Sequence, residues 1–241
     1  MWHEERRSRI VTLLKDGARA STSTIAAELG VSRETVRRDL LTLEAEGLLQ
    51  RVHGGAIAPR DAGEAPFERR RRQRWREKLA IGRAAARLIE AGMIVFVDAG
   101  TTTLAFAETL EARRDIRVVT NSIGVAQRLG DRAILLGGAV TSDVPATFGE
   151  LTLSEIDRFM ADLTFISPVA VHPEDGAMNY ALHEAEVARA MIRRSRRLVV
   201  LADRSKLDVK SRVTVCKPSE INVLVTDGKP SHCVAEAVIS A

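Results

Sequence analysis

Hydrophobic positions along the chain change their period once. Over the first third, apolar residues recur at three- and four-residue intervals: Ile10, Leu13 and Leu14 within residues 4–15, Ile25 and Leu29 in "STSTIAAELG", and Val36, Leu40 and Leu43 beyond Ser32. That spacing lines one face of a helix. Asp16-Gly17 stops the first segment and Gly30 the second, while hydroxyl residues cap the second segment and Ser32 caps the third. The third helix turns Glu34, Thr35 and Arg38 outward, with Arg33 and Arg37 at its flanks. After it, "GLLQRVHGGAIA" sets two strand-like arms about a Gly-Gly turn, which predicts a hairpin with Arg51 and His53 near its tip. From Ala80 onward, short β-branched runs alternate with helical segments. The runs are "MIVFVD", "IRVVT", "AILLGG", "LTFIS", "RLVVLAD" and "INVLVT". This texture predicts an α/β unit with a mostly parallel sheet and helices on both faces, whose ligands belong at the carboxyl ends of the strands.

Charge sharpens the division. The whole chain carries +4, but residues 1–78 hold 17 basic and 12 acidic side chains, and the remainder 19 and 20. A basic module on a near-neutral body points to a polyanionic partner for the module alone. Much of the excess lies in "FERRRRQRWREK", Phe67 to Lys78, read as a solvated linker helix. The expected organisation is a basic N-terminal domain over 1–58, a basic linker or helix over 59–78, and an α/β domain over 79–241. Runs such as "MIVFV" are too short to span a bilayer and the N-terminus has no apolar signal region, so the expected location is the cytoplasm, with no membrane partner. Cys216 and Cys233 lack C-x-x-C spacing, and neither a disulfide framework, a metal site nor a cofactor is expected.

Two short helices joined by a tight turn, the second exposing cations and small hydroxyls, form the helix-turn-helix pattern of major-groove readers. Arg33, Arg37 and Arg38 can offer paired donors to guanine or a fork to phosphate; Ser32 and Thr35 can approach a backbone or base edge. A plain amphipathic surface helix is the alternative, made less apt by the wing-like hairpin that follows. Arg51 and His53 are either phosphate contacts or turn-flanking surface residues. In the second part, "DAGTTT" (Asp98 to Thr103) follows a strand and opens a helix. Gly100 would let an anion approach, and Thr101, Thr102 and Thr103 would add hydroxyls to the free amides of a helix N-terminus. A threonine N-cap with a turn glycine would use the same residues. There is no Walker or dinucleotide glycine pattern. Other strand ends leave Asn121 and Ser122, Gly137 and Gly138, and Asp203, Ser205 and Lys206, which are either site groups or ordinary turn formers.

The stretch "STIAAELGVSRETVRRDLLTLEAEGLLQRVHGGA" resembles the DNA-binding signature of the DeoR family of bacterial transcriptional regulators. The resemblance implies a winged helix-turn-helix with its recognition helix from Ser32 to about Glu46. It also implies a sensor domain for a phosphorylated sugar, similar in fold to ribose-5-phosphate isomerase and the CoA transferases. On that basis Asp98, Gly100 and Thr101 to Thr103 look like the phosphate turn, Asn121 and Ser122 like a second loop, and Lys206 in "ADRSK" like the ligand lysine. The helix after Glu184 matches as well, with Ala188 where lysine is usual. The segment "ISPVAVHPEDGAMNYALHEAE" departs from the family, and Pro168, His172 and Tyr180 point to a different subgroup. His172 and His183 have no carboxylate spacing to make a metal site. The expected function is transcriptional regulation, as a repressor of carbohydrate metabolism acting on double-stranded operator DNA as a homo-oligomer. The alternatives are an isomerase-like enzyme, for which no convincing acid–base pair is seen, and a metabolite-sequestering module, which would leave residues 1–57 without a use.

Overall fold

A computed structural model describes residues 3–14, 19–45, 48–52, 54–57, 65–140 and 144–241. It divides into two compact units, Met1–Ala65 and Pro66–Ala241. The first contains α1 (His3–Leu13), β1 (Arg19–Ser21), α2 (Thr22–Leu29), α3 (Arg33–Ala45), β2 (Gln50–Val52) and β3 (Gly55–Ile57). Ser21 caps α2 by accepting the Thr24 amide, and Gly30 closes that helix in the left-handed region at φ 65°. Ile10, Leu14, Ile25, Leu29, Val36, Leu40 and Leu43 form one core, so the helical spacing of the sequence is the packing face. Asp16-Gly17, Glu46 and His53 lie outside the described residues.

Two features of this unit have no periodic signal. β1 joins the hairpin as a third strand, giving the order β1-β3-β2. Gly55 permits it, because a Cβ there would stand 2.2 Å from the Ala20 carbonyl oxygen. The buried Asp39 holds α1 to α3 by accepting from Arg6 Nε at 2.5 Å and Nη2 at 3.2 Å, and from Arg7 Nε at 3.3 Å.

The second unit begins with α4 (Phe67–Arg72) and α5 (Trp75–Ala86). There follow β4 (Ile94–Val97), α6 (Thr101–Thr109), β5 (Arg117–Thr120), α7 (Ile123–Leu129), β6 (Ala133–Leu135), β7 (Ala139–Val140), β8 (Thr147–Phe148), α8 (Glu150–Ile156) and β9 (Ala161–Ile166). The last elements are β10 (Ala170–His172), β11 (Gly176–Asn179), α9 (Leu182–Arg193), β12 (Ser195–Leu201), β13 (Val213–Cys216), β14 (Val223–Thr226) and β15 (Ala237–Ser240). The main sheet is parallel throughout, in the order β15-β14-β12-β9-β4-β5-β6. Its alternating side chains enter cores on opposite faces. Val95 and Val97 pack with Ile81, Phe106 and Phe165, whereas Phe96 packs with Ile156 and Met191. Burial on both faces explains why the strands read as unbroken apolar runs.

All six strand runs anticipated from the sequence are present; β10, β11 and β13, which form a small antiparallel side sheet, and the edge strand β15 were not. The stretch read as a linker is also more than that. The division falls between Ala65 and Pro66, and Phe67 and Lys78 are both buried within the second unit.

The Asp39 pairing gives a stability prediction. Asp39→Ala strips the Arg6 guanidinium of its carboxylate and should cost the first unit about 3–5 kcal/mol, whereas Asp39→Leu combined with Arg6→Met should recover most of the loss. Denaturant unfolding of the three variants, followed by helical circular dichroism, checks the ordering.

Candidate functional site

The outer face of α3 carries the DNA-contact candidates. Ser32 is its cap, with Oγ accepting the Thr35 amide at 3.0 Å and lying 2.8 Å from Thr35 Oγ1. Those hydroxyls are thus partly spent on the helix itself. Arg33 and Arg37 are exposed, and Arg38 is 79% exposed, with only a loose contact to Glu34 at 3.6 Å. A hollow of about 500 Å³ lies against this face, lined by Arg6, Arg7, Ser32, Thr35, Arg38 and Asp39 among others. Arg51 is less available than the sequence implied. It sits in β2, and both its amide and its Nε donate to Glu44, at 2.9 and 2.6 Å, which fastens the hairpin to α3. That pairing holds the Glu44 carboxyl below the usual range.

In the second unit, β4, β9 and β12 are neighbours and β5 flanks β4, so residues just past their ends converge. Asp98 follows β4, and its two oxygens accept the Ser167 amide at 3.2 and 3.1 Å. Lys206, in the turn after β12, donates to Ser167 Oγ at 3.2 Å and to the Pro168 carbonyl at 2.6 Å. No side chain caps α6, which leaves its first amides without intrahelical partners. Its three threonines are buried and differ in use. Thr103 Oγ1 donates to the Gly100 carbonyl at 3.1 Å, and Thr101 Oγ1 accepts from Lys78 Nζ at 2.9 Å. Among the described residues, two buried side-chain polar atoms lack a hydrogen-bond partner, and they are Thr102 Oγ1 and Asn121 Oδ1. Buried polar atoms are almost always satisfied, so such a pair at adjacent strand ends is where an incoming polar group gains most.

Gly100 differs from expectation. Its backbone is extended, and a Cβ there would lie 3.1 Å from Ser167 Cβ and 3.2 Å from Thr103 Oγ1, so the missing side chain makes room for neighbouring protein groups. Ser122 caps α7 by accepting the Val125 amide, and Asn121 Nδ2 donates to the Thr147 carbonyl. Gly137 and Gly138, beyond β6, are held by α8: Gly137 donates to Glu155 and accepts from Thr152, and Gly138 adopts φ 141° against Phe148 and Thr152. Glu184 is half-buried in the first turn of α9, and Ala188 is packed in the core. His172 Nδ1 accepts the Glu174 amide, the ring of Tyr180 lies 4.3 Å under the Arg212 guanidinium, and His183 packs edge-on against Phe148. No cluster of metal-binding side chains occurs among the described residues.

Two residues of this cluster, Lys78 and Arg74, were not chosen from sequence as site groups, and Asp203, noted there only as a strand-end residue, joins them. Lys78 is only 3% exposed and reaches Thr101 from α5. Arg74 lies 3.8 Å from Asp203 and has a left-handed backbone at φ 53°. Asp203 is buried and accepts the Ser205 hydroxyl at 2.5 Å. The signal for Lys78 was its phase, since Lys78, Ile81, Gly82 and Ala85 share one face of α5. Burial works against the Asp203 charge, but Ser205, Lys206 and Lys78 outweigh it and hold the carboxyl below its ordinary range. Asp98 is the opposite case. Burial pushes it up to about 7 against the opposing pull of the Ser167 amide, Lys206 and Thr103. Three cations thus face two carboxylates, one of which is close to giving up its charge.

Residues 73–228 match the family model of the DeoR C terminal sensor domain, and residues 6–61 match that of the DeoR-like helix-turn-helix domain. The chain is 31% identical over 242 residues to the glycerol-3-phosphate regulon repressor of Escherichia coli (strain K12), covering 99% of this chain and 96% of that protein. It is 34% identical over 241 residues to the HTH-type transcriptional repressor GlcR of Bacillus subtilis (strain 168), covering 98% and 93%. It is 32% identical over 234 residues to the HTH-type transcriptional regulator GolR of Listeria innocua, covering 95% and 92%. These full-length relatives are regulators, which sets aside the enzyme reading. Among solved structures, ribose 5-phosphate isomerase A of Methanocaldococcus jannaschii aligns with a TM-score of 0.41 at 18% identity, over 54% of this chain and 53% of that one, too loosely to carry any inference. No helix among the described residues is long and apolar enough to cross a membrane.

The Asp98 carboxyl predicts a pH dependence. Unfolded, it ionises near 3.8; folded, near 7. Between those values the folded state holds a proton that the unfolded state has lost, so this group's contribution to stability falls as pH rises from about 4 to 7 and is constant above. Asp98→Asn, which can still accept the Ser167 amide, should remove that slope, gaining on wild type by at most about 4 kcal/mol across the window. Urea unfolding of both proteins at pH 5, 6, 7 and 8 measures the difference.

Proposed function

The chain belongs to the DeoR family of DNA-binding transcriptional regulators, and from that premise we propose that it is a cytoplasmic repressor of carbohydrate-metabolism genes, released from its operator by a phosphorylated sugar. The observation that carries the effector reading is the uncapped N-terminus of α6, with Thr102 Oγ1 buried and unpartnered, set among Arg74, Lys78 and Lys206. A helix N-terminus attracts anions through its free amides and dipole, and the surplus of cations over carboxylates suits a phosphate. Asn121 Oδ1 accepts hydrogen bonds only, so it suits a hydroxyl of the attached sugar. The repressor assignment is supported by the names of the relatives from E. coli and B. subtilis. The domain plan that goes with it is DNA binding over 1–58 and effector binding over the second unit from Pro66 onward, which takes in Lys78.

On DNA, α3 is the recognition helix, with Arg33, Arg37 and Arg38 as its exposed cations and Ser32 and Thr35 at its start. The protein acts as a homo-oligomer, because operator half-sites about one helical turn apart need two recognition helices. The exposed Ile134, Leu135, Val140 and Leu151 give the second unit apolar surface for self-association. The segment from Phe67 to Ile89 buries Phe67, Ile81, Ala85 and Ile89 in the cores of the second unit. Footprinting on genomic DNA should find paired half-sites. Arg37→Ala and Arg38→Ala should each cost about 1–3 kcal/mol if the side chain reads a base, or lower the salt slope by about one if it holds a phosphate. An unchanged footprint and slope for the double variant would overturn the assignment.

The effector reading is tested by titrating a panel of phosphosugars onto the protein–operator complex. One of them should lower operator affinity by a factor within the usual allosteric range of about 5–150. Thr102→Ala and Lys206→Ala should bind operator normally and respond weakly. A normal response from both variants would place the effector elsewhere.

A further inference from the structure

α4 is six residues long, too short to hold its shape without tertiary support. At its start, Phe67 is buried in the core of the second unit. At its end, the carbonyl of Arg70 accepts from Lys78 Nζ at 2.6 Å, a cation placed where helix carbonyls lack partners. The same ammonium donates to Thr101 Oγ1 at 2.9 Å. One buried charge is therefore shared between the last turn of α4 and the first residue of the helix whose N-terminus forms the anion site. Gly82 makes this reach possible, because a Cβ there would lie 2.8 Å from Phe106 Cα and would force α5 away from α6. The left-handed turn at Arg74 redirects the chain between α4 and α5, and α4 packs against α6. α4 is also the first element after the boundary between the two units.

An ammonium prefers a phosphate to a neutral carbonyl, since the phosphate adds the attraction of opposite charges to the hydrogen bond. An anion on the free amides of Thr101 to Thr103 arrives beside Nζ, which already touches Thr101. We propose that Lys78 is a ligand of the effector phosphate, and that its transfer from the Arg70 carbonyl to the phosphate loosens α4 and so reports occupancy to the chain that leads back to the DNA-binding unit. The inference rests on the effector site argued above. Lys206 donates instead to Ser167 and Pro168, just past the end of β9.

Hydrogen exchange of the full-length protein, read by mass spectrometry with inorganic phosphate as the probe and chloride at matched ionic strength as the control, tests this. Phosphate should slow the amides of Thr101 to Leu104 and speed those at the end of α4, including Gln73, by about fivefold or more, the low end of usual couplings. Lys78→Met should bind phosphate about 10-fold more weakly, a loss of about 1.4 kcal/mol, and α4 should exchange fast with or without phosphate. Lys206→Met should also bind weakly, yet at saturation α4 should still respond. Slowed Thr101 amides with unchanged or slower exchange in α4 of the wild type would overturn the relay and leave the anion site standing. Wild-type phosphate affinity in a folded Lys78→Met would overturn the ligand role. If phosphate slows nothing near Thr101, the relay falls together with the site on which it rests. The wild-type comparison decides the matter even if Lys78→Met does not fold.

Discussion

A buried carboxylate must find cations and hydrogen bonds or give up its charge, and three such groups organise this protein. Asp39 is matched by Arg6 and Arg7, and it ties α3 to α1. Asp203 keeps its charge through Ser205, Lys206 and Lys78. Asp98 is under-compensated, with the Ser167 amide, a shared lysine and the Thr103 hydroxyl against its burial, and it is the group whose charge is costly to keep. A parallel sheet makes such a place by construction, since its strands all end on one side and bring their unpaired polar groups together. Among the described residues, the two buried polar atoms without a hydrogen-bond partner, Thr102 Oγ1 and Asn121 Oδ1, both follow strands of this sheet.

Much of this was legible in the sequence because it is periodic or local. The three- and four-residue spacing of Val36, Leu40 and Leu43 gave the inward face of α3, and hence the outward arginines. Apolar runs gave the strands, and the residues after them gave Asp98, Asn121 and Lys206. What escaped was non-local. β1 is three residues whose only reason to be a strand is the hairpin paired with it later in the chain. Lys78 ends a run of arginines, and as a string of charges that run reads as solvated surface. Phase alone separates Lys78 from the arginines, since it falls on the same face as Ile81 and Ala85, whereas Arg71 and Arg72 face outward.

Arg51 and Gly100 show the opposite failure, in which residue type suggests contact with a ligand and geometry assigns a partner within the protein. Arg51 is the right residue for a phosphate, but Glu44 on α3 takes its amide and its Nε. Gly100 is the right residue for close approach, and what approaches is Ser167. In both cases the sequence carried the chemistry, while the choice of partner depended on segments far away in the chain.

The third strand of the small sheet bears on how the first unit folds. β2 and β3 are joined by a short turn and can close early, but β1 pairs residues 19–21 with residues 55–57 across nearly the whole unit. Closing so long a loop costs more entropy than closing the hairpin, a cost the packed helices between the two strands help to offset. The β1–β3 ladder ties the hairpin to the start of α2, where the Thr22 amide also donates to the Gly54 carbonyl at 2.9 Å. A fragment that stops short of Gly55 would keep every helix of the unit and lose both ladders of the small sheet, β1–β3 and β2–β3.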